Sequence, residues 1–285
     1  MPNSPHSDAA AWITAVIHDF VAHSPENNLG NGTAEKSWGT PLTGFAAGDD
    51  PLFEEFRTHV GPFHWTPLEA FALAFPDPVA SAAELTVISW ILPQTEATKA
   101  DNSGETLYPA ERWARSRLYG ENFNETLRRH VVATLQKAGY AAAAPTLLPQ
   151  WSGMPSDRYG DASKWSERHA AYASGLGTFG LSDGLITPLG KAVRVGTVVA
   201  RIKVPPSERP YGSHQEYCLY FSRGACGKCV KRCPVNSINT DGRNKRTCRK
   251  QLQKMAEHVK ATYGFDGYGC GLCQTAVPCE SGIPA

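Results

Sequence analysis

The chain has 285 residues, of which 41% are hydrophobic and 19% are charged, and its formal charge at pH 7 is +1. This composition is typical of a soluble globular protein and argues against a disordered chain, a fibrous repeat or a strongly basic nucleic-acid binder. The longest apolar stretch, residues 85–92, is too short to span a bilayer. Residues 1–8 carry neither a secretory nor a twin-arginine signal, so we expect a cytoplasmic protein that does not contact a membrane.

The first hundred residues predict one helix and one buried strand. Apolar residues recur at helical spacing over 11–21, which predicts an amphipathic helix. Residues 24–50 show little periodicity. Residues 84–92 are rich in Val, Ile and Trp and end at a proline, which predicts a buried strand in a central sheet.

The next hundred residues predict two helices and a second long strand. Asn122 and Glu125 have capping-box spacing, which predicts the start of a helix that ends near Gly139. A further helix is predicted over 163–173. The β-branched run 192–204 predicts the last strand before the composition changes.

A proline-rich segment then separates two regions of different character. Pro205, Pro206 and Pro210 indicate a linker, and every cysteine lies beyond it. We therefore expect an α+β protein with a first domain over residues 1–205 and a small cysteine-rich domain over residues 206–285.

The eight cysteines fall into two groups with the short spacings of metal ligands. In a reducing cytoplasm such spacings indicate metal binding before they indicate disulfides. In two-cluster ferredoxins the last cysteine of each run ligates the other cluster. The pattern predicts two [4Fe-4S] clusters, the first held by Cys218, Cys226, Cys229 and Cys279 and the second by Cys233, Cys248, Cys270 and Cys273.

Other interpretations of these motifs stay open or fail. A single zinc ion bound by the two CxxC pairs would leave four cysteines unused, and clusters that only stabilise the fold are also compatible with the pattern. The segment 175–180 matches the GxGxxG dinucleotide fingerprint. That fingerprint needs a preceding strand and a following helix, and here the predicted order is reversed, so we reject a nucleotide site.

The order of motifs over residues 155–285 resembles the epoxyqueuosine reductase and reductive dehalogenase superfamily. The resemblance is carried by Asp161 and Glu167, by the glycine-containing segments 175–177 and 184–188, and by the cysteine runs 226–234 and 270–274. It implies a nitroreductase-like α/β sandwich domain that binds cobalamin, followed by a ferredoxin-like module with two [4Fe-4S] clusters. Two positions depart from the family pattern: Arg223 stands where a cysteine is usual, and Cys279 lies further along the chain.

The resemblance also implies roles for individual residues. Asp161 corresponds to a proton donor and Tyr159 is a second candidate acid. An alternative for Asp161 is the N-cap of the predicted helix. His169 on that helix is interpreted as structural. The implied cobalamin-binding residues are Gly175, Leu176, Gly177, Thr187 and Pro188.

The function implied is that of a cobalamin- and iron–sulfur-dependent oxidoreductase that reduces a small-molecule substrate. Electrons from reduced ferredoxin or flavodoxin would pass through the two clusters to cobalt. We expect tRNA to be an unlikely partner, because the chain stops at Ala285 without the tRNA-binding extension usual in epoxyqueuosine reductases. The alternative is an iron–sulfur electron-transfer or sensory protein without a bound corrinoid.

Overall fold

The computed structural model describes residues 8–78 and 80–285. The segment in which we expect no export signal, residues 1–8, lies outside these ranges except for its last residue. The helices are α1 (Ala9–His23), α2 (Leu52–Val60), α3 (Pro67–Ala74), α4 (Glu96–Gly104), α5 (Glu111–Lys137), α6 (Glu167–Ala173), α7 (Leu219–Arg223), α8 (Lys228–Lys231) and α9 (Lys245–Tyr263). The strands are β1 (Leu42–Ala47), β2 (Thr86–Pro93), β3 (Ala142–Ala143), β4 (Gly153–Ser156), β5 (Gly160–Ser163), β6 (Thr178–Phe179), β7 (Leu185–Ile186), β8 (Val193–Ala200), β9 (Ile238–Asn239) and β10 (Gly242–Arg243). Within the described ranges, no helix is both long and apolar enough to cross a membrane.

A four-stranded antiparallel sheet, with the order β1-β2-β8-β3, forms the centre of the molecule. Residues 86–92 of β2 are all buried, as expected for a strand covered on both faces. The predicted central strand is therefore confirmed. Gly196 on β8 makes room for the indole of Trp90 on β2, because a Cβ at residue 196 would lie 2.3 Å from that ring.

Helices α1 and α5 cover one face of the sheet. Ile13 and Ile17 of α1 pack with Phe123 and Leu127 of α5, which confirms the predicted first helix. Helix α5 begins at Glu111, eleven residues before the predicted start, so the capping-box interpretation was wrong. The spacing of Asn122 and Glu125 falls inside a helix whose length is set by packing on the sheet.

Helices α2, α3 and α6 cover the other face around a cluster of Phe53, Phe71 and Trp165. The predicted helix over 163–173 begins only at Glu167, because residues 160–163 pair with β4 as strand β5. The N-cap interpretation of Asp161 was therefore wrong.

Strand β1 lies in the segment that showed little periodicity, and sequence reasoning missed it. Gly44 interrupts its pattern of side chains, and a Cβ at this position would lie 2.4 Å from the carbonyl oxygen of Ser174. The glycine lets the end of α6 approach the sheet. Gly44, which this packing requires, therefore also interrupts the alternating pattern from which the strand could have been predicted.

The cysteine-rich segment is bound to the rest of the chain by polar contacts. Asn102 of α4 donates to the hydroxyl of Thr275 at 3.0 Å. Arg232 donates to the carbonyl of Glu105 at 2.8 Å and to that of Asn102 at 3.2 Å. The structure has the predicted mixed α+β character, and the domain boundary at residue 205 stays a prediction.

Candidate functional site

A cleft of about 660 Å³ opens between the β4–β5 hairpin, α6 and the start of α9. Both predicted catalytic residues, Tyr159 and Asp161, line this cleft. Cys273, a predicted ligand of the second cluster, lines it as well. The fold therefore brings two candidate acids and one predicted cluster cysteine to the same cavity.

Asp161 lies on β5 with its carboxylate 3.3 Å from Nη2 of Arg249. The ammonium of Lys245 donates to the main-chain oxygen of Asp161 at 2.9 Å and lies 4.6 Å from the ring centroid of Tyr159. Burial raises the pKa of the Tyr159 hydroxyl. The hydroxyl is therefore protonated at neutral pH and can donate a proton or a hydrogen bond.

Positive side chains line the cleft, among them Arg168, Arg194, Arg243 and Lys245. Burial lowers the pKa of Lys245. Nη2 of Arg243 lies 2.7 Å from Sγ of Cys248. Although burial opposes its charge, the Cys248 thiol raises the pKa of Arg243 overall. Arg243 thus connects the cleft to a predicted ligand of the second cluster.

His169 lies within an aromatic cage in the cleft wall. Its ring centroid is 4.8 Å from that of Phe56 and 4.9 Å from that of Phe179, and its Nδ1 lies 2.7 Å from Oγ of Ser166. Burial lowers the pKa of His169 well below its usual 6.5, so the imidazole is neutral at physiological pH. These contacts agree with a structural role.

Two oxygen atoms in the cleft wall are buried without a hydrogen-bond partner among the described residues. They are Oγ1 of Thr146 and Oδ2 of Asp183. Asp183 also has a left-handed backbone with φ +57°, which costs about 1 kcal/mol for a residue with a side chain. Unpaired polar atoms and strain are found together at ligand sites. Sequence reasoning missed both residues, although Asp183-Gly184 is a turn signal.

The five predicted cobalamin-binding residues do not line this cleft, and their role in cofactor binding stays a prediction. A Cβ at Gly175 would lie 2.2 Å from the carbonyl oxygen of Glu208, and Leu176 packs in a buried apolar cluster. Gly177 is similarly close to residue 186. The Thr187 hydroxyl donates to the Gly190 carbonyl at 2.8 Å, and Pro188 is exposed. The glycine turn serves chain packing, whereas the residues that follow it, 179–185, line the cleft.

A second, smaller cavity is lined by four of the cysteines, Cys218, Cys226, Cys229 and Cys279. These are the four thiols predicted to hold the first cluster. Cys226 has a left-handed backbone with φ +84°. Burial raises the pKa of Cys229 to about 11, so an adjacent metal cation would be needed to hold this group as a thiolate at neutral pH.

The other four cysteines interact around Cys270, whose thiol is electrostatically coupled to those of Cys273, Cys248 and Cys233. Burial raises the pKa of Cys270 to about 12. Sγ of Cys233 accepts a hydrogen bond from the main-chain N–H of Ser237 at 3.1 Å. In residues 8–78 and 80–285, no three His, Cys, Asp or Glu side chains are grouped to hold a single metal ion. The cluster assignments stay predictions.

Lys191 lies at the junction of the cleft and the cysteine-lined cavity and lines both. It is 3% exposed, and its ammonium donates to Oγ of Ser182 at 3.1 Å. Burial opposes its charge, but the thiols of Cys279 and Cys273 raise the pKa of Lys191 overall. Its main-chain N–H donates to the carbonyl of Cys279 at 2.8 Å. Sequence reasoning missed Lys191, because it lies far from the cysteine runs along the chain.

The fold and the site together define a mixed α+β protein in which a cleft lies beside a cysteine-rich segment. No family model matches the chain. Over 129 residues the chain is 27% identical to an epoxyqueuosine reductase of Bacillus cereus, a match that covers 43% of this chain and 32% of that protein. A variant of a catabolic reductive dehalogenase has the same fold, with a TM-score of 0.50 at 14% identity, over 97% of this chain and 37% of that chain.

The chain is therefore similar to epoxyqueuosine reductases over part of its length and shares the fold of a reductive dehalogenase, in agreement with the resemblance seen in the sequence. The matched relatives are reductases, in agreement with the expectation of an enzyme. The matched segment spans about a third of the length of the curated relative.

The expectation that tRNA is an unlikely partner is contradicted. The curated relatives are epoxyqueuosine reductases, and one solved epoxyqueuosine reductase was determined with an epoxyqueuosine-modified tRNA stem loop. That structure is 18% identical, with a TM-score of 0.46, and the match covers 86% of this chain and 63% of that chain. The expectation rested on where the chain ends, which carries no information about partners.

Proposed function

We propose that this chain is the core of a cobalamin- and iron–sulfur-dependent reductase. Residues 1–205 would form a nitroreductase-like domain that holds the corrinoid, and residues 206–285 a ferredoxin-like module with two [4Fe-4S] clusters. The observation that carries the proposal is the single cleft lined by Tyr159, Asp161 and Cys273. Candidate acids and a candidate cluster ligand meet there, as a reductase requires.

The cysteine segment suits iron–sulfur clusters in its chemistry. Each predicted set supplies four thiols, and a cluster with four thiolates carries a charge of about −2. Cationic groups offset such a charge, and Arg243 and Lys191 interact with the thiols from two directions. The Ser237 N–H that donates to Cys233 is the kind of contact that stabilises a cluster thiolate.

The cleft suits a corrinoid in the polar groups it offers. The rim of a corrin ring carries amide side chains, which need donors and acceptors. The unpaired oxygens of Thr146 and Asp183 would accept such donors, and the rings of Phe56 and Phe179 would pack on the apolar part. When bound, a corrinoid supplies a metal centre that takes up electrons singly and passes them to a substrate.

The chain's own residues would then bind the substrate and supply protons. Reduction that expels an oxygen or a halide leaves negative charge that a nearby acid must neutralise. The Tyr159 hydroxyl holds a proton at neutral pH, and Asp161 lies two residues away in the same cleft. Arg168 and Lys245 would orient an anionic part of the substrate.

The substrate and the electron donor are part of the proposal. A solved relative binds an epoxyqueuosine-modified tRNA stem loop, so this stem loop is the first substrate to test, followed by small-molecule epoxides. Reduced ferredoxin or flavodoxin is the proposed electron donor. Segment 217–240 contains Arg223, Lys228, Lys231 and Arg232 but no Asp or Glu, and such a segment favours an acidic carrier.

Corrinoid uptake tests this proposal. The protein, reconstituted anaerobically, is mixed with hydroxocobalamin, freed of excess cofactor and analysed for cobalt. We expect about one cobalt per chain, and Asp183→Asn should weaken binding about tenfold because a single buried acceptor is lost. Asp241→Asn, at an exposed position of the cleft rim, is the matched control. Iron–sulfur absorbance without stoichiometric cobalt would favour the alternative of an electron-transfer or sensory protein.

A further inference from the structure

Lys191 is a buried lysine without a carboxylate partner in the described residues. Its side chain is covered on one side by Gly184, where a Cβ would lie 2.8 Å from the lysine Cδ. The ammonium donates to the neutral hydroxyl of Ser182 at 3.1 Å. Its other side-chain partner is the thiol of Cys279. One hydroxyl and one neutral thiol do not offset the cost of burying a charge, which is several kcal/mol after relaxation. An anion must therefore lie close to this ammonium in the functional protein.

A second buried lysine has a carboxylate as its counter-ion, as is usual for a buried charge. Lys99 is 4% exposed, and its ammonium pairs with the carboxylate of Glu96 at 2.6 Å and donates to Ser281 at 2.7 Å. Lys99 therefore has its counter-ion within one turn of helix. The contrast shows that burial alone does not explain Lys191.

The groups around Lys191 that can carry negative charge are thiols from both predicted cluster sites. In the small cavity it lies with Cys229 and Cys279, which are predicted to hold the first cluster. In the cleft it lies with Cys273, which is predicted to hold the second. Its main-chain N–H also fixes the Cys279 carbonyl at 2.8 Å. One ammonium thus faces both sites.

We propose that Lys191 is a positioning residue whose fixed positive charge is shared by the two iron–sulfur sites and raises the reduction potential of both. The proposal rests on the proposed function, because it requires the two clusters. Each cluster gains one negative charge when it takes up an electron, and a nearby cation stabilises the reduced form more than the oxidised form. A cation between the two sites therefore favours reduction of both.

The test is an anaerobic redox titration of the reconstituted protein, followed by electron paramagnetic resonance, with iron analysis of each variant. In Lys191→Met both midpoint potentials should fall by about 59 mV. For a one-electron couple this shift is about a tenfold decrease in the ratio of reduced to oxidised cluster at a given potential. Lys191→Arg, which keeps the charge, should restore most of the shift. Lys99→Met is the matched control and should leave both potentials unchanged.

The remaining outcomes are also decisive. Full iron content with unchanged potentials in Lys191→Met would overturn the proposal, and so would a shift confined to one cluster. If Lys191→Met loses iron while Lys191→Arg retains it, the charge is required for assembly and the proposal stands. If both variants lose iron, shape rather than charge is required and the proposal fails. A wild-type protein that takes up no iron would instead refute the proposed function itself.

Discussion

The ion pair between Arg128 and Glu167 positions the helix that forms the cleft wall. Arg128 on α5 is 3% exposed, and its Nε and Nη2 each donate to a Glu167 carboxylate oxygen at 2.8 Å. Glu167 also accepts from the main-chain N–H of Thr197 at 3.0 Å. Glu167 is the first residue of α6, which carries Arg168 and His169 into the cleft. The pair therefore joins the cleft wall to the helix behind the sheet.

Replacing Arg128 with methionine should destabilise the protein strongly. The Glu167 carboxylate would remain buried with hydrogen bonds from Thr197 alone, and removal of one partner of a buried pair costs about 3–5 kcal/mol. Glu121 also contacts Arg128 but keeps Arg194 at 2.7 Å, so we expect a loss near the lower limit, about 3 kcal/mol.

The neighbouring residue on the same helix is the matched control. Arg129 pairs with Glu125 across one turn, and their side chains are 64% and 45% exposed. Arg129→Met should therefore cost only about 0.3–0.5 kcal/mol. Urea unfolding of the reconstituted variants, followed by tryptophan fluorescence, measures both losses. Equal losses in the two variants would refute the idea that the buried pair supports the cleft.

Three further changes test the site. In Gly190→Ala a Cβ would lie 2.1 Å from the Glu280 carbonyl oxygen, so the chain at Cys279 should shift and about half of the iron should be lost. The control is Gly32→Ala, because Gly32 has a similar positive φ but open space around it, and this variant should keep its iron. Equal iron contents in the two variants would contradict the packing argument. Burial lowers the pKa of His64 to about 4, so the unfolded chain binds a proton that the folded chain does not bind between pH 6.5 and 4. Between pH 7.5 and 5 the unfolding free energy of the wild type should therefore fall by about 2 kcal/mol more than that of His64→Phe. If the unfolding free energies of the two proteins change in parallel with pH, His64 does not have the lowered pKa. Asp161→Asn should bind cobalt as wild type does but turn over slowly, and undiminished turnover would remove Asp161 from the mechanism.

The elements whose residues show a local apolar pattern could be predicted from the sequence. The helix at 9–23 shows an apolar stripe, and β2 shows a β-branched run closed by a proline, so both follow from periodicity. Cysteine spacing gave the set of four thiols that line the small cavity. Such spacing is expected when the ligands of one centre come from short turns and one distant crossing residue, and their role as cluster ligands stays a prediction.

Features that depend on contacts between distant segments could not be predicted in this way. The start of α5 and the β4–β5 hairpin are determined by packing on the sheet, which overrides the capping pattern near residue 122 and the helical interpretation of residues 160–163. Lys191 and Asp183 became visible only from burial and unpaired atoms. Both properties belong to the folded chain, and no spacing along the sequence encodes them.

The proposed reductase requires the eight cysteines to hold two iron–sulfur clusters beside the cleft. Iron, acid-labile sulfide and zinc analysis of the protein isolated anaerobically from iron-supplemented cells tests it most directly. We predict about eight iron and eight sulfide atoms per chain and no stoichiometric zinc. About one zinc atom per chain with no iron would contradict the claim and establish the zinc-binding alternative.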